Sequence, residues 1–306
     1  MKNNYFLILI SFFLTFVLIE IVLSKLYKKR LYEFDTIVGW DLRKNNIASR
    51  KYANMKYTII SDNYKLRTNK AKNILNETCD FDYIFLGDSF VFGVGIDIEN
   101  RFDLLFNKKM TVKSINFAVP GYSILQSYLK QKKYITKNKC INPKKLIIFI
   151  YKNDITDAQS SQTAFRYRPI IIDKKIKFPN NIYYKIHGYL RDLSYGYFYF
   201  FSNLEKFYKK NNIFNSDNLL PIVNELEYIQ QDTIHNEIYI FLHGFDKELG
   251  NKFLNNKICQ KIECDNTNIT FKNNQKSFVS GHSHWNILGH KNISEFLIDK
   301  FINHSN

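Results

Sequence analysis

Few residues in this sequence are suited to chemistry, and they lie far apart. Ser89 follows Gly87-Asp88 directly after the apolar run Tyr83-Ile84-Phe85-Leu86, and His282, His284 and His290 cluster just before the last helix-like stretch. A serine hydroxyl is a weak nucleophile until a neighbouring base takes its proton, so a serine and a histidine brought to one place imply nucleophilic catalysis. On local grounds Gly-Asp-Ser is equally compatible with an Asx-type turn that opens a helix. The histidines invite a metal reading, but without a nearby carboxylate they form a poor ligand set, and one of them acting as a base is more economical. Cys79, Cys140, Cys259 and Cys264 form no CxxC pair and no zinc-like spacing with histidine, so neither metal nor cofactor is expected. Cys259 and Cys264 are near enough to bridge in an oxidising compartment, and two reduced, buried thiols are the equal alternative.

The elements that must position these groups follow from hydrophobic pattern. Tyr83 to Leu86 has no polar alternation, as in a strand covered on both faces within a parallel sheet. Leu146 to Tyr151 and Glu237 to Leu242 read the same way, and Val112 to Phe117 is a shorter strand. Helical spacing predicts helices over Ile98 to Met110, Ser123 to Tyr134, Leu219 to Gln231 and the stretch ending at Phe301. Over Ile98 to Met110, Phe102, Leu104, Leu105 and Phe106 face one side and Glu99, Arg101 and Asp103 the other. Strand, loop, helix is thus the repeated grammar, and three strands deliver Ser89, Gly121 and Asn153 to one carboxyl edge, where open α/β sheets carry their sites. The segment Tyr32 to Asn69 is expected to be an extended lead-in with one or two edge strands, and Arg67 in it either fixes a turn or touches substrate. Residues 160–235 break the rhythm, with a hairpin over Pro169 to Phe178 and an aromatic helical stretch from Tyr183 to Tyr208. Core packing, a cap over the rim or a surface resting on a membrane would each suit them.

The chain has 306 residues, 45% of them hydrophobic, enough for one large core with a satellite. Its net charge of +16 suggests nucleic acid, yet 36 of the 44 basic residues are lysines spread through every segment, with no basic face interleaved with aromatics. Nucleic-acid binding is therefore not expected. Tyr5 to Leu23 is almost wholly apolar, broken by Ser11, Thr15 and Glu20, and long enough to cross a bilayer as a helix. No small-x-small cleavage site follows before Lys25, which favours a retained anchor over a removed signal peptide. The division expected is an anchor with its basic flank over residues 1–30 and one α/β domain over 31–306. Lys25, Lys28, Lys29 and Arg30 would by themselves hold that domain in the cytoplasm, but lysine is enriched everywhere in this chain.

Gly87-Asp88-Ser89, Gly121 in Val119-Pro120-Gly121-Tyr122, Asn153-Asp154, and His284 in His284-Trp285-Asn286-Ile287-Leu288-Gly289-His290 stand in one order. Together they resemble the SGNH branch of the GDSL-type hydrolases, from about Asp35 to the C terminus. The anchor with Gly39-Trp40 and Leu66-Arg67 is similar to a membrane-anchored bacterial subgroup. The resemblance implies a flavodoxin-like three-layer α/β/α sandwich with a parallel sheet, and hydrolysis or transfer of acyl esters. It implies Ser89 as nucleophile, His284 as general base, and an oxyanion hole from the Ser89 and Gly121 backbone N–H groups with the Asn153 side chain; Asp88 and His282 are auxiliary candidates. The family carries an aspartate three or two residues before the histidine, where this sequence has Gly281 and His282, and a glycine two residues before the asparagine, where it has Tyr151.

Two expectations follow. The first is a membrane-anchored serine esterase or O-acyltransferase acting on acyl groups of a cell-envelope glycan or related ester, its domain outside the cytoplasm. The second is a catalytically silent domain of the same shape that binds envelope polymer or a partner protein.

Overall fold

The computed structural model describes residues 2–26, 30–69, 80–137, 145–163, 166–178, 182–208, 217–233, 235, 237–267, 275–280 and 284–303. Cys79, Cys140, Gly281 and His282 lie outside them.

The first helix, α1 (Lys2–Leu26), is long and apolar enough to cross a membrane, and most of its side chains are exposed. Five short strands follow where one or two were expected. β1 (Tyr32–Asp35) and β2 (Gly39–Leu42) form a hairpin, and β3 (Asn46–Tyr52), β4 (Met55–Ser61) and β5 (Arg67–Thr68) form an antiparallel sheet. Their half-buried pattern, with Tyr57, Ile59 and Ser61 inward on β4 and Lys56, Thr58 and Ile60 on the other face, gives a weak sequence signal.

Next come β6 (Tyr83–Leu86), the single-turn α2 (Ser89–Phe92), α3 (Phe102–Met110), β7 (Ser114–Asn116), α4 (Ile124–Lys137), β8 (Lys145–Tyr151) and α5 (Lys152–Asp157). The helix expected from Ile98 starts at Phe102, after a separate 3-10 turn over Ile98–Asn100. Its polar side is not solvated: Arg101 and Asp103 are both buried and paired through two hydrogen bonds of 2.6 and 2.7 Å. Small pairs β9 (Gln162–Thr163) with β10 (Arg166–Tyr167) and β11 (Ile170–Ile172) with β12 (Lys175–Lys177) lead to α6 (Ile182–Leu193) and α7 (Tyr195–Tyr208), two helices where one stretch was expected. The remainder is α8 (Leu220–Asp232), β13 (Glu237–His243), α9 (Lys247–Leu254), β14 (Glu263–Asn266) and α10 (Ile287–Asn303).

The central sheet has five parallel strands in the order β14-β13-β8-β6-β7. Period-two alternation sends its side chains into two cores. Phe85, Ile147, Phe149 and Phe241 pack with Phe102 and Phe106 of α3 and Leu297 and Phe301 of α10. Ile84, Leu86, Ile148, Ile150, Ile240 and Leu242 pack on the other face with α4, α8 and α9. Helices therefore cover both faces, which explains why these strands read as continuous apolar runs. The order reverses at β6, which joins β7 on one side and β8 on the other, and the crevice above such a reversal is where doubly wound sheets place their ligands. The fifth strand, β14, escaped the sequence reading because an edge made of Glu-Cys-Asp-Asn carries no apolar run.

Two buried cations fasten the amino-terminal strands to this sheet. Lys130 of α4 reaches Asp41 of β2 at 2.6 Å and the Lys65 carbonyl at 2.8 Å. Arg67 donates to the carbonyls of Phe92, Gly93, Ile96 and Thr58 at 2.9, 2.7, 2.6 and 3.2 Å. Of its two expected roles it has the structural one, holding the loop that leaves α2.

Candidate active site

Ser89 is the first residue of α2, directly beyond the carboxyl end of β6. Gly87 makes the turn possible: a Cβ there would stand 2.4 Å from the Val91 side chain. Asp88 caps α2 by accepting from the Phe90 N–H at 2.9 Å, which fixes the Ser89 backbone at a helix start where first-turn N–H groups have no intrahelical partner.

His284 arrives from the opposite end of the chain. Asn286 caps α10 by accepting from the Gly289 N–H at 3.0 Å and donates to the Phe278 and Lys276 carbonyls, while Val279 N–H donates to the His284 carbonyl at 2.9 Å. So fixed, the imidazole Nε2 lies 2.8 Å from Ser89 Oγ. Phe90 stacks on the ring at 4.7 Å, and Tyr52 meets its edge at 4.8 Å.

The other imidazole nitrogen, Nδ1, is 2.6 Å from the Tyr52 hydroxyl, at the end of β3. With the proton on Nδ1, the ring donates to the phenol oxygen and offers Nε2 to the serine proton. Sequence reasoning missed Tyr52, since it sits in a strand read as a lead-in and no motif marks it. Burial raises its pKa, so at neutral pH it orients the ring without contributing a negative charge. Tyr52→Phe keeps the ring packing and loses the hydroxyl. We expect kcat of any turnover that depends on the Ser89–His284 pair to fall about tenfold with KM unchanged, well short of the roughly 10⁴ lost when an orienting carboxylate is neutralised; an unchanged kcat would remove Tyr52 from the account.

On the other side of Ser89 lie two expected residues. Asp88 Oδ2 lies 3.2 Å from Ser89 Oγ and accepts from Asn153 Nδ2 at 3.1 Å, joining the ends of β6 and β8 across the sheet reversal. Burial raises the Asp88 pKa, opposed by the bonds it accepts from Phe90 and Asn153. Asn153 also donates to Asp157 at 3.2 Å, and Asp157 is held by the buried Arg168 at 2.9 Å, a second support without a sequence signal. Gly121, at φ +80°, lies in the loop after β7 at the same edge; the hydrogen bonds that join Ser89, His284, Asp88 and Asn153 do not include it.

Tyr151, standing where the pattern this sequence resembles has glycine, packs at a tilt on Phe90 with ring centroids 4.0 Å apart and backs the ring that packs on His284. His290 is a core residue, stacked on Phe102 at 6.0 Å, its pKa lowered by burial and by Arg101 and Arg67. His282, the other auxiliary candidate, falls outside the described residues. Among those, no group of three or more His, Cys, Asp or Glu side chains could hold a metal ion. A cavity of about 540 Å³ lies away from Ser89, lined among others by Arg30, Trp40, Tyr184 and Phe198.

Beneath the site, His243 accepts from Trp285 Nε1 at 2.8 Å and pairs through Nδ1 with Thr267 at 3.0 Å. Burial pushes its pKa down to about 3. A histidine held neutral in the fold but titrating near 6.5 when unfolded stabilises fully above pH 6.5, and that contribution is lost as pH falls toward 3. We expect thermal stability to decline through this window by about 5 kcal/mol at most on this group's account. His243→Gln, which keeps an acceptor for Trp285, should flatten the decline; an equally steep slope would contradict the assignment.

No protein-family model and no curated protein match this sequence.

Proposed function

We propose that the chain is a membrane-anchored serine esterase or O-acyltransferase of the SGNH type. The observation that carries this reading is the 2.8 Å contact between Ser89 Oγ and His284 Nε2 at the carboxyl edge of a doubly wound sheet. The sheet order, 2-1-3-4-5 when its strands are counted along the chain, is that of flavodoxin-like folds and agrees with the reading.

In the reaction His284 Nε2 takes the Ser89 proton as Oγ bonds to the acyl carbon. The carbonyl oxygen becomes an oxyanion, met by the Ser89 and Gly121 N–H groups and by Asn153 Nδ2, which turns from Asp88. His284 then returns the proton to the leaving alkoxide, and the acyl-serine passes its acyl group to water or to a sugar hydroxyl by the same steps reversed. Each donor contributes about 3 kcal/mol to the transition state. A cell-envelope glycan ester is the proposed substrate, consistent with an anchor at α1.

The second reading, a silent domain that binds envelope polymer or a partner protein, is favoured by one feature: a phenol, not a carboxylate, meets His284 Nδ1. Hydrolysis of p-nitrophenyl acetate by the purified chain, absent in Ser89→Ala, supports the enzyme. A folded protein with no turnover above Ser89→Ala leaves the silent domain.

The Cys259–Cys264 disulfide supports a domain outside the cytoplasm, where such bonds persist. Alkaline phosphatase fused at the C terminus should therefore be active; an inactive fusion alongside an active cytoplasmic reporter would reverse the orientation.

A further inference from the structure

We propose that α6 and α7 form a helical hairpin whose tip enters the lipid bilayer beside α1, so that the protein meets the membrane through two elements. The proposal rests on α1 as the membrane span and is independent of the chemistry at Ser89.

Ile182, Tyr183, Ile186, Tyr189, Leu190 and Leu193 recur along α6 at helical spacing, and all six are exposed, Leu193 by 79%. In a helix packed on a globular domain such a stripe faces the core. Here the polar side does the fastening. Asp192 accepts from the Phe34 N–H of β1 at 2.6 Å and pairs with Arg43 at 3.4 Å, which turns the apolar stripe outward, with Tyr189 at its margin meeting the Phe34 ring at 5.2 Å. Lys185 and Arg191 belong to the same helix, the arrangement of apolar face and basic flank found in helices that lie at anionic lipid surfaces.

Glu20 of α1 identifies the occupant of that face. Its carboxylate accepts from Ser194 Oγ at 2.6 Å, from the Tyr195 N–H at 2.7 Å and from the Gly196 N–H at 2.9 Å, the three residues that turn α6 into α7. The hairpin tip is therefore level with Glu20. At 1.5 Å per residue, Glu20 lies roughly 9 Å inward along α1 from Leu26, within the layer the apolar helix crosses. Only a hairpin that enters the layer can reach it there.

The backbone groups at the turn between the two helices are paired as that depth demands. Glu20 satisfies the first N–H groups of α7. Arg30 donates to the last carbonyls of α6, Arg191 at 2.6 Å and Asp192 at 2.8 Å, with its guanidinium 3.7 Å above the Tyr195 ring. What remains exposed at the tip is hydrocarbon, chiefly Leu190 and Leu193.

The test uses the full chain in vesicles of phosphatidylcholine and phosphatidylglycerol, with p-benzoylphenylalanine placed in turn at Leu193, at Phe12 in α1 and at Lys247 in α9. After irradiation, lipid adducts are read by mass spectrometry. We expect Leu193 to yield lipid adduct comparable to Phe12 and at least roughly tenfold above Lys247, as for a helix buried in the interface. Adduct at Phe12 but not at Leu193 would overturn the hairpin while leaving the anchor intact. Adduct at neither would overturn both. Crosslinks from Leu193 to a second copy of the chain, in place of lipid, would overturn it in favour of self-association.

Discussion

Ser89→Ala and His284→Ala should each lower ester turnover by about a thousandfold or more, and the double variant should be no worse than either alone. In the proposed reaction Ser89 Oγ is the atom that bonds to the acyl group, and alanine leaves nothing to acylate. His284 Nε2, 2.8 Å away, is the proton acceptor placed for it among the described residues. His290 cannot substitute, being buried against Phe102 and Trp285. Non-additivity is what distinguishes a catalytic pair from two independently useful residues. Single and double variants assayed on p-nitrophenyl acetate would check this, and losses that multiply would contradict the pairing.

Arg67→Ala should cost on the order of 3–5 kcal/mol of stability, more than any surface change, because removing one partner leaves buried acceptors unpaired. Arg67 is 3% exposed and its guanidinium binds four carbonyls, three of them in the loop from Phe92 to Ile96 that follows the Ser89 helix. Burial, with Arg101 nearby, lowers its pKa to about 9, so it remains charged at neutral pH. Arg67→Lys should recover little, since an ammonium cannot span the same fork of acceptors. Thermal unfolding of the detergent-solubilised protein measures the change, and a variant within about 1 kcal/mol of the parent would show that the loop holds itself.

The parallel sheet was legible because strands covered on both faces must be apolar throughout, as Ile147 to Ile150 and Ile238 to Leu242 are. The rim residues were legible because each follows such a strand at once: Ser89 after β6, Asn153 after β8. His284 was legible from the resemblance, as one of three histidines just before the terminal helix. The supports were not. Tyr52 and Arg168 approach from hairpins that alternate only weakly, and nothing in their spacing records that Tyr52 lies 232 residues from the histidine it meets. Arg101 and Asp103 misled for the opposite reason, since two charges in helical register suggest a solvated face while here they neutralise each other inside the core. Glu20 read as a carboxylate at the end of a span; its three donors come from a turn 174 to 176 residues away.

The central claim, that Ser89 is a nucleophile activated by His284, is tested most directly by a fluorophosphonate, which reacts with an activated serine and stays bound to it. Treatment of the full chain followed by peptide mapping should give one adduct, on the peptide containing Ser89, strongly diminished in His284→Ala and absent in Ser89→Ala. A folded protein that takes up no phosphonate, or carries it on another residue, would contradict the claim.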